Sequence, residues 1–510
     1  MLTTRLAAIM PSLIDPAQAG FIKGRQAADV AMVLKTVLAH AHDHDVPGAL
    51  VFLDQEKAYD RISYSYLFAV LSRFGFPSSL HHAFAATFHN SFTFLLDDGH
   101  PVGPIPVGCG VRQGDPLAPL LFNLCFEPLL VAMRVRLQGI QLPWGFYRTS
   151  AFADDSGYGL HPDDAPVFRS TLDQYCAASN ARVNYHKSTY VSLQPDESVP
   201  SWVPTMQLRV QDPRVPFRVL GFDLVYSSEG VQEDWDALYH RLVSLADSFL
   251  QRNVSLQGRV LLVNMLLTSR LFYKFRLSTP SGNHLRLFQT LAWKAVWKNH
   301  PALAPKQLIG RCPRLEEGLN FIVVQAQAPA LAAQWIQAYF SRDTLWTPIL
   351  HHIFEQQPGR QTLLATHWNC ARLHRVSPAW QFVFKAWNKL LPHWHSVASD
   401  WSTDDAYNFL LPNTFSARNP YGISLGQVLD TDSTSGQLVI RSDQQLRSLF
   451  RNAAPARICT VVQALQVPSN NIGYHLFQFL SSFPSPPPFP DSYTTAPSLI
   501  LTHIFAADIL

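Results

Sequence analysis

Three carboxylates define the chemistry open to this sequence. Asp54 closes a short apolar run, Ala49-Leu50-Val51-Phe52-Leu53. Asp154 and Asp155 stand together between Ala151-Phe152-Ala153 and Gly157-Tyr158-Gly159-Leu160. The first run follows Gly48 and reads as a strand buried on both faces, which delivers Asp54 at its end. The other two read as short strands around a tight acidic turn. Carboxylates gathered on one spot repel, and one of them tends to take a proton. Divalent cations remove that conflict. Hard oxygen ligands suit Mg2+, which keeps one or two protein carboxylates and completes its octahedron with water and substrate phosphate. Two such ions roughly 4 Å apart can activate a 3′-hydroxyl and stabilise a leaving pyrophosphate. Taken alone, an Asp-Asp pair is more often a solvated turn, and Asp54 alone could cap a helix. The surrounding sequence has to decide.

The elements that must position these groups follow from periodicity and breakers. Leu2 to Met10 has a helical apolar rhythm that Pro11 and Pro16 break. A second helix is expected over Gln26–His42, ending in the polar turn His42-Asp43-His44-Asp45. Tyr66 to Phe74 reads as a helix stopped by Gly75-Phe76-Pro77. Phe92–Leu96 and Val102–Val107 form a hairpin around Asp97-Asp98-Gly99. Val167 to Ala178 is helical, and Val219-Leu220-Gly221-Phe222 marks a short strand. Long helices are expected over Ser255–Phe275 and Leu285–Trp297. Beyond about residue 340 the pattern is helical without recognisable chemistry. Phe483 to Pro490 is a stiff Pro-rich linker or tail.

The bulk numbers set limits. A chain of 510 residues with 47% hydrophobic and 15% charged residues is globular, with room for several sub-domains and a large core. A net charge of +3 says little about partners at this length. None of the six cysteines forms a C-x-x-C pair, so neither a zinc knuckle nor a disulfide framework is expected, and a reducing compartment is. Met1 to Leu13 lacks a signal-peptide cleavage pattern. No apolar run reaches membrane-spanning length. The expectation is an intracellular protein without a targeting signal or membrane partner.

The residues around the carboxylates resemble reverse transcriptases, most closely those of non-long-terminal-repeat (LINE-type) retrotransposons. Val51-Phe52-Leu53-Asp54-Gln55-Glu56-Lys57-Ala58-Tyr59-Asp60-Arg61 resembles the family's first catalytic motif. Gly110-Val111-Arg112-Gln113-Gly114-Asp115-Pro116-Leu117-Ala118-Pro119-Leu120-Leu121-Phe122-Asn123 resembles the second and is the most specific. Phe152-Ala153-Asp154-Asp155 resembles the third, Asn184-Tyr185-His186-Lys187-Ser188 the fourth and Val219-Leu220-Gly221 the fifth. Upstream, Gln18-Ala19-Gly20-Phe21-Ile22-Lys23-Gly24-Arg25 is similar to a fingers motif. The motifs stand in the family's order over roughly residues 1–340.

The resemblance implies roles. Asp54, Asp154 and Asp155 would hold two Mg2+ ions, for which Mn2+ could substitute, with help from the Gln55 backbone carbonyl. Tyr59 stands at the steric-gate position that favours deoxynucleotides; otherwise it is a core aromatic. Gln113 and Gly114 would lie beneath the incoming nucleotide and template base, Gly114 letting the backbone approach closely because it has no Cβ. Asp115-Pro116 would open a helix. Lys187 would protonate pyrophosphate. Arg25 and Lys23 would contact template or triphosphate, where Arg suits phosphate geometry.

A basic stretch follows the fifth motif, where the family places its thumb. From Ser248 to Arg314 it carries Arg252, Arg259, Arg270, Lys274, Arg276, Arg286, Lys294, Lys298, Lys306, Arg311 and Arg314, with no Asp or Glu. Phe272, Tyr273, Phe275, Phe288, Trp293 and Trp297 are interleaved. The bland reading is an amphipathic core helix with Arg solvated on its back. A purely structural helix usually mixes both signs for local pairing, so Arg259, Arg270 and Lys274 are expected to grip template–primer backbone.

The resemblance therefore implies an α+β right-hand polymerase. Fingers and palm occupy 1–225, a basic helical thumb 226–340, a helical region of unknown role 341–480 and a Pro-rich tail 481–510. Its partners are an RNA template, a DNA primer and dNTPs, met in nucleus or cytoplasm as a ribonucleoprotein. LINE-type members carry an Arg-Pro-Ile-Ser-like segment before the equivalent of Leu2–Leu6 and an upstream endonuclease. Neither is in this sequence, so truncation is expected. The alternatives are a non-catalytic nucleic-acid-binding relic or another two-metal phosphotransferase such as a nuclease.

Overall fold

The computed structural model describes residues 2–355, 378–390 and 428–446, apart from short stretches at 89–90, 229, 232, 251–252, 299, 305–308, 311–317, 342–343, 433–434, 436 and 443. Most of 341–480, the tail 481–510 with its Pro-rich run, and Arg252, Lys306, Arg311 and Arg314 lie outside the described residues. The chain divides into two compact units. One is Met1–Val231 with Asp343–Ile349; the other is Gln232–Arg342 with Leu350–Leu510. Helix and sheet are mixed, as expected.

The first unit opens with α1 (Leu2–Leu13) and α2 (Ala27–His44). Pro11 does not end α1. It lacks the N–H that would close one ladder bond, yet the helix continues past it, and Ile14 N–H still reaches Met10 O at 3.0 Å. At the start of α2 the Gln26 N–H donates to Asp29 Oδ2 (2.7 Å), leaving one fewer orphan donor. Residues 42–44 stay helical, and the left-handed Asp45 stops the helix instead. β1 (Ala49–Leu53) buries Ala49, Leu50, Val51 and Leu53, as a central strand must. There follow α3 (Ala58–Arg61), α4 (Tyr64–Arg73) and an unanticipated α5 (Ser78–Phe88). The hairpin β2 (Phe92–Asp97) and β3 (His100–Pro106) turns at Asp98-Gly99, both with positive φ, and is exposed throughout.

α6 (Ala118–Arg136) corrects one expectation. By length and composition it is apolar enough to cross a membrane. It packs instead against α1, α4 and the later segments Thr149–Phe152 and Ala165–Ser179. Leu121, Phe122, Leu124, Cys125 and Phe126 are all fully buried, so the helix is apolar nearly all round because the core surrounds it. Asp115 Oδ1 accepts from Leu117 N–H just before this helix, whose first residue is Ala118.

After the small hairpin β4 (Ile140–Leu142) and β5 (Gly145–Tyr147) come β6 (Thr149–Phe152), β7 (Asp155–Leu160) and α7 (Ala165–Ser179). Next are β8 (Thr189–Ser192), α8 (Trp202–Thr205) and β9 (Arg209–Gln211). The main sheet has the order β6-β7-β1-β8-β9, antiparallel except for the β8–β9 pair. Val219–Phe222 is not a strand. It is the turn of a hairpin between β10 (Phe217–Val219) and β11 (Phe222–Leu224), with Leu220 and Gly221 both at positive φ. Two such residues form the turn that matches strand twist.

The second unit is helical where it leads. α9 (Trp235–Leu250) precedes α10 (Leu256–Leu262), which runs through a π-helical segment, Val263–Thr268, into α11 (Ser269–Phe275). α12 (Gly282–Trp297) follows. Their core holds Leu242, Val263, Leu267, Phe275, Phe288 and Val296. Helices Val324–Ser341 and Gln381–Leu390 pack on each other, and Trp335 meets Trp380 edge-on.

Candidate active site

The end of β1 and the turn between β6 and β7 carry the carboxylates. β1 pairs with β7 so that Leu53 faces Ser156, which puts Asp54 and Asp155 at the same end of neighbouring strands. β6 and β7 join by a two-residue turn, Ala153-Asp154, closed by the pair Phe152–Asp155. Ala153 takes φ +57°, an unusual conformation for a residue with a Cβ. Asp54 is held through its backbone: its N–H donates to Ser188 Oγ (3.1 Å), and its carbonyl accepts from Asn184 N–H (2.8 Å). The fourth motif's loop thus braces the first motif's aspartate.

The carboxylates feel one another. Burial pushes the Asp154 carboxyl above its ordinary value, its own backbone N–H draws it part of the way back, and the Asp54 charge adds to the rise. Asp155 is raised by burial, then by Asp154 and Asp54. No three His, Cys, Asp or Glu side chains among the described residues make a ready-built cage for an ion. A Mg2+ site does not need one, since water and phosphate supply the rest of the octahedron. Half-buried Asp54 and Asp154 and the exposed Asp155, crowded at two strand ends, fit that partial donor set.

Tyr59, at the start of α3, stacks on Phe122 with ring centroids 4.6 Å apart. Burial, with Asp154's charge second, pushes its phenol up to about 12. It is therefore a packed aromatic that also borders the acidic turn. The loop before α6 is strapped to the same segment: Gly110 N–H donates to Ile62 O and Val111 N–H to Tyr59 O. Gln113 and Gly114 are exposed on this loop. Among the described residues nothing lies within 4 Å of a Cβ built on Gly114. Its glycine is required by φ +91°, not by a close intramolecular approach.

A cleft of about 500 Å3 opens beside the carboxylates, lined among others by Asp54, Asp155, Lys187, Arg209, Phe217 and Leu220. Lys187 is exposed at its wall. Arg209 and Phe217 were not anticipated. Phe217 could have been suspected because it leads into Val219-Leu220-Gly221, whereas Arg209 carries no sequence signal.

Arg25 does not reach toward this site. Its guanidinium donates to the carbonyls of Asp15, Gln18, Ile14 and Pro11, so it ties its own loop together. Lys23 is exposed. The missed residue nearest the turn is Gln18. It is fully buried, and its carboxamide bonds both backbone groups of Ala153.

In the second unit, Arg270 is exposed on α11 and its guanidinium also donates to Leu266 O. Arg259 is half-buried, and its Nε has no hydrogen-bond partner among the described residues. Lys274 was expected, with Arg259 and Arg270, to grip template–primer backbone, and here it has an acidic partner within the chain. It pairs with Glu233 at 3.0 Å, both side chains mostly buried. The balancing charge comes from outside the window that lacks acids.

Residues 1–224 match the family model described as reverse transcriptase (RNA-dependent DNA polymerase). Over these residues the chain is similar to reverse transcriptases. Among its relatives, a Transposon TX1 uncharacterized 149 kDa protein of Xenopus laevis is 25% identical over 347 residues, 67% of this chain and 26% of that protein. The Retrovirus-related Pol polyprotein from type-2 retrotransposable element R2DM of Drosophila melanogaster is 33% identical over 141 residues, 28% of this chain and 13% of the polyprotein. A Pol polyprotein from type-1 retrotransposable element R2 of Popillia japonica is 28% identical over 220 residues, 41% of this chain and 31% of that sequence. The chain spans about a quarter of the TX1 protein's length and less of R2DM.

Proposed function

We propose that the protein is an RNA-directed DNA polymerase of a non-LTR retrotransposon, joining dNTPs to a primer 3′-hydroxyl on an RNA template. The observation that carries this reading is the meeting of Asp54 with the Asp154-Asp155 turn at one end of the β1–β7 pair. In this reading the sheet and its helices are the palm, the N-terminal segment contributes to the fingers, and the basic helices from α9 onward serve as thumb. Asp54, Asp154 and Asp155 would hold two Mg2+ ions. Such ions, when bound, supply Lewis-acid activation of the attacking hydroxyl and charge neutralisation on the phosphates. The chain's own residues do the rest. Tyr59 walls the sugar pocket and crowds a 2′-hydroxyl. The loop of Gln113 and Gly114 offers backbone groups to nucleotide and template. Lys187, exposed beside Asp54, offers a proton to the leaving pyrophosphate.

Primer extension on poly(rA)/oligo(dT) with Mg2+ or Mn2+ tests the reading. The expected result is extension that Asp154→Asn lowers by a factor of about 1000 or more. Tight duplex binding without extension would instead make the protein a non-catalytic binder, and cleavage alone would make it a nuclease.

A further inference from the structure

Gln18 has no role in the chemistry described so far, yet its side chain makes the most specific contacts with the acidic turn. Its Nε2 donates to Ala153 O at 3.1 Å, and its Oε1 accepts from Ala153 N–H at 2.8 Å. The same Oε1 accepts from Gly20 N–H at 2.8 Å. The carboxamide therefore acts as one more peptide unit, continuing the β6 edge where the strand has ended. The main chain supports it. Ala151 and the Ala17–Ala19 segment exchange bonds of 2.8 and 2.7 Å, a parallel bridge beside β6.

The support behind Gln18 is rigid. Asn123 of α6 donates to Gly20 O at 2.6 Å, and Arg25 donates to the Gln18 carbonyl at 2.7 Å. A Cβ on Gly20 would stand 2.2 Å from Ala153 N, so the loop is pressed against the turn as closely as glycine allows. Gln18 is 0% exposed, its carboxamide is bonded on both sides, and the residue it grips holds an unfavourable φ. Strained backbone persists where its surroundings over-determine it. Ala153 immediately precedes Asp154, so whatever fixes its backbone fixes where the next carboxylates begin.

We propose that Gln18 is a positioning residue that splints the Ala153-Asp154 turn and thereby sets the divalent-cation affinity of the Asp54–Asp154–Asp155 cluster. This rests on the metal-binding part of the polymerase reading. Removing the splint leaves the carboxylates in place but lets the turn relax, and a ligand set that must be ordered at binding binds more weakly.

The test is Mn2+ binding to the full chain, followed by electron paramagnetic resonance, beside thermal unfolding. Gln18→Met keeps length and burial but removes every side-chain hydrogen bond. Gln18→Asn keeps the amide but is one methylene too short to bond both Ala153 groups. Leu172→Ala, a core truncation in α7, supplies destabilisation without removing any hydrogen bond to the turn. Either Gln18 variant should raise the Mn2+ dissociation constant about tenfold and speed exchange of the Ala153 amide, while Leu172→Ala stays within about twofold of the parent. Folded Gln18 variants with parental Mn2+ affinity overturn the inference, and so does an equal loss in Leu172→Ala. If Asp154→Asn also leaves Mn2+ binding untouched, the metal-site reading itself falls. Loss in Asp154→Asn alone leaves that reading standing and removes only the role of Gln18.

Discussion

Glu127 is 4% exposed on α6, with one carboxylate oxygen accepting from Asp15 N–H at 2.8 Å and the other without a partner among the described residues. Burial, the largest cause, lifts its carboxyl from an ordinary value near 4.5 to about 7; the Asp15 N–H bonded to it draws it part of the way back, the Asp15 charge adds to the rise, and Arg25 and Arg134 oppose it. The folded state therefore keeps a proton that the unfolded chain releases first. Its contribution to stability is complete below about pH 4.5 and is lost as pH rises to about 7. Glu127→Gln removes that loss, so urea denaturation should show the variant gaining on the parent between those values. The advantage above pH 7 should be at most roughly 3 kcal/mol. A constant difference across pH would reject the assignment. Residues of this kind set the limit of what sequence shows. Asp54, Asp154 and Asp155 were legible because their type, adjacency and strand setting restrict their chemistry. Gln18 and Arg25 were not, because their partners are backbone carbonyls and amides, which every residue carries. Arg25 was consequently expected at a phosphate and instead holds Asp15, Gln18, Ile14 and Pro11.

Elements were legible where period and breakers agree. β1 is bounded as its apolar run suggests, and the β2–β3 hairpin turns at Asp98-Gly99. Val219–Phe222 was misread as a strand because Leu220, at positive φ, bears no turn signature. The expected helix over Ser255–Phe275 contains a π-helical segment, Val263–Thr268, that apolar spacing does not reveal. The basic face of this helix divides in two. Arg270 is exposed, whereas Lys274 is spent on Glu233. Breaking one side of a mostly buried pair strands the other charge. Lys274→Ala should therefore lower the stability of the second unit by about 3 kcal/mol. Arg270→Glu should cost little stability but weaken duplex binding and reduce its dependence on salt. Denaturation curves and salt titrations of duplex affinity read the two effects separately. A Lys274→Ala protein of parental stability, or an Arg270→Glu protein of parental salt slope, would contradict the division.

At the scale of the whole molecule, the first unit is not one continuous stretch of chain. It takes in Asp343–Ile349 with Met1–Val231. Trp346 in that segment is 1% exposed, and its indole N–H donates to Asp29 Oδ1 at 3.0 Å, a bond between residues 317 positions apart. Asp29 also accepts from Gln26 N–H, so the same carboxylate fastens the start of α2 and the returning segment. No window of sequence contains both partners, and an aspartate in a first helical turn already has a sufficient local explanation in the helix dipole. The later segment is thus part of what stabilises the first unit. Trp346→Ala removes a fully buried indole, a change that typically costs about 3–5 kcal/mol. It also leaves an Asp29 oxygen without its donor. Hydrogen exchange should report the loss in α2 and its neighbours within Met1–Val231. Trp346→Phe, which keeps much of the apolar surface while losing the N–H and part of the ring volume, should cost less, about 1–3 kcal/mol. Unchanged protection of α2 in a folded Trp346→Ala protein would mean that the segment is merely carried by the domain and does not hold it.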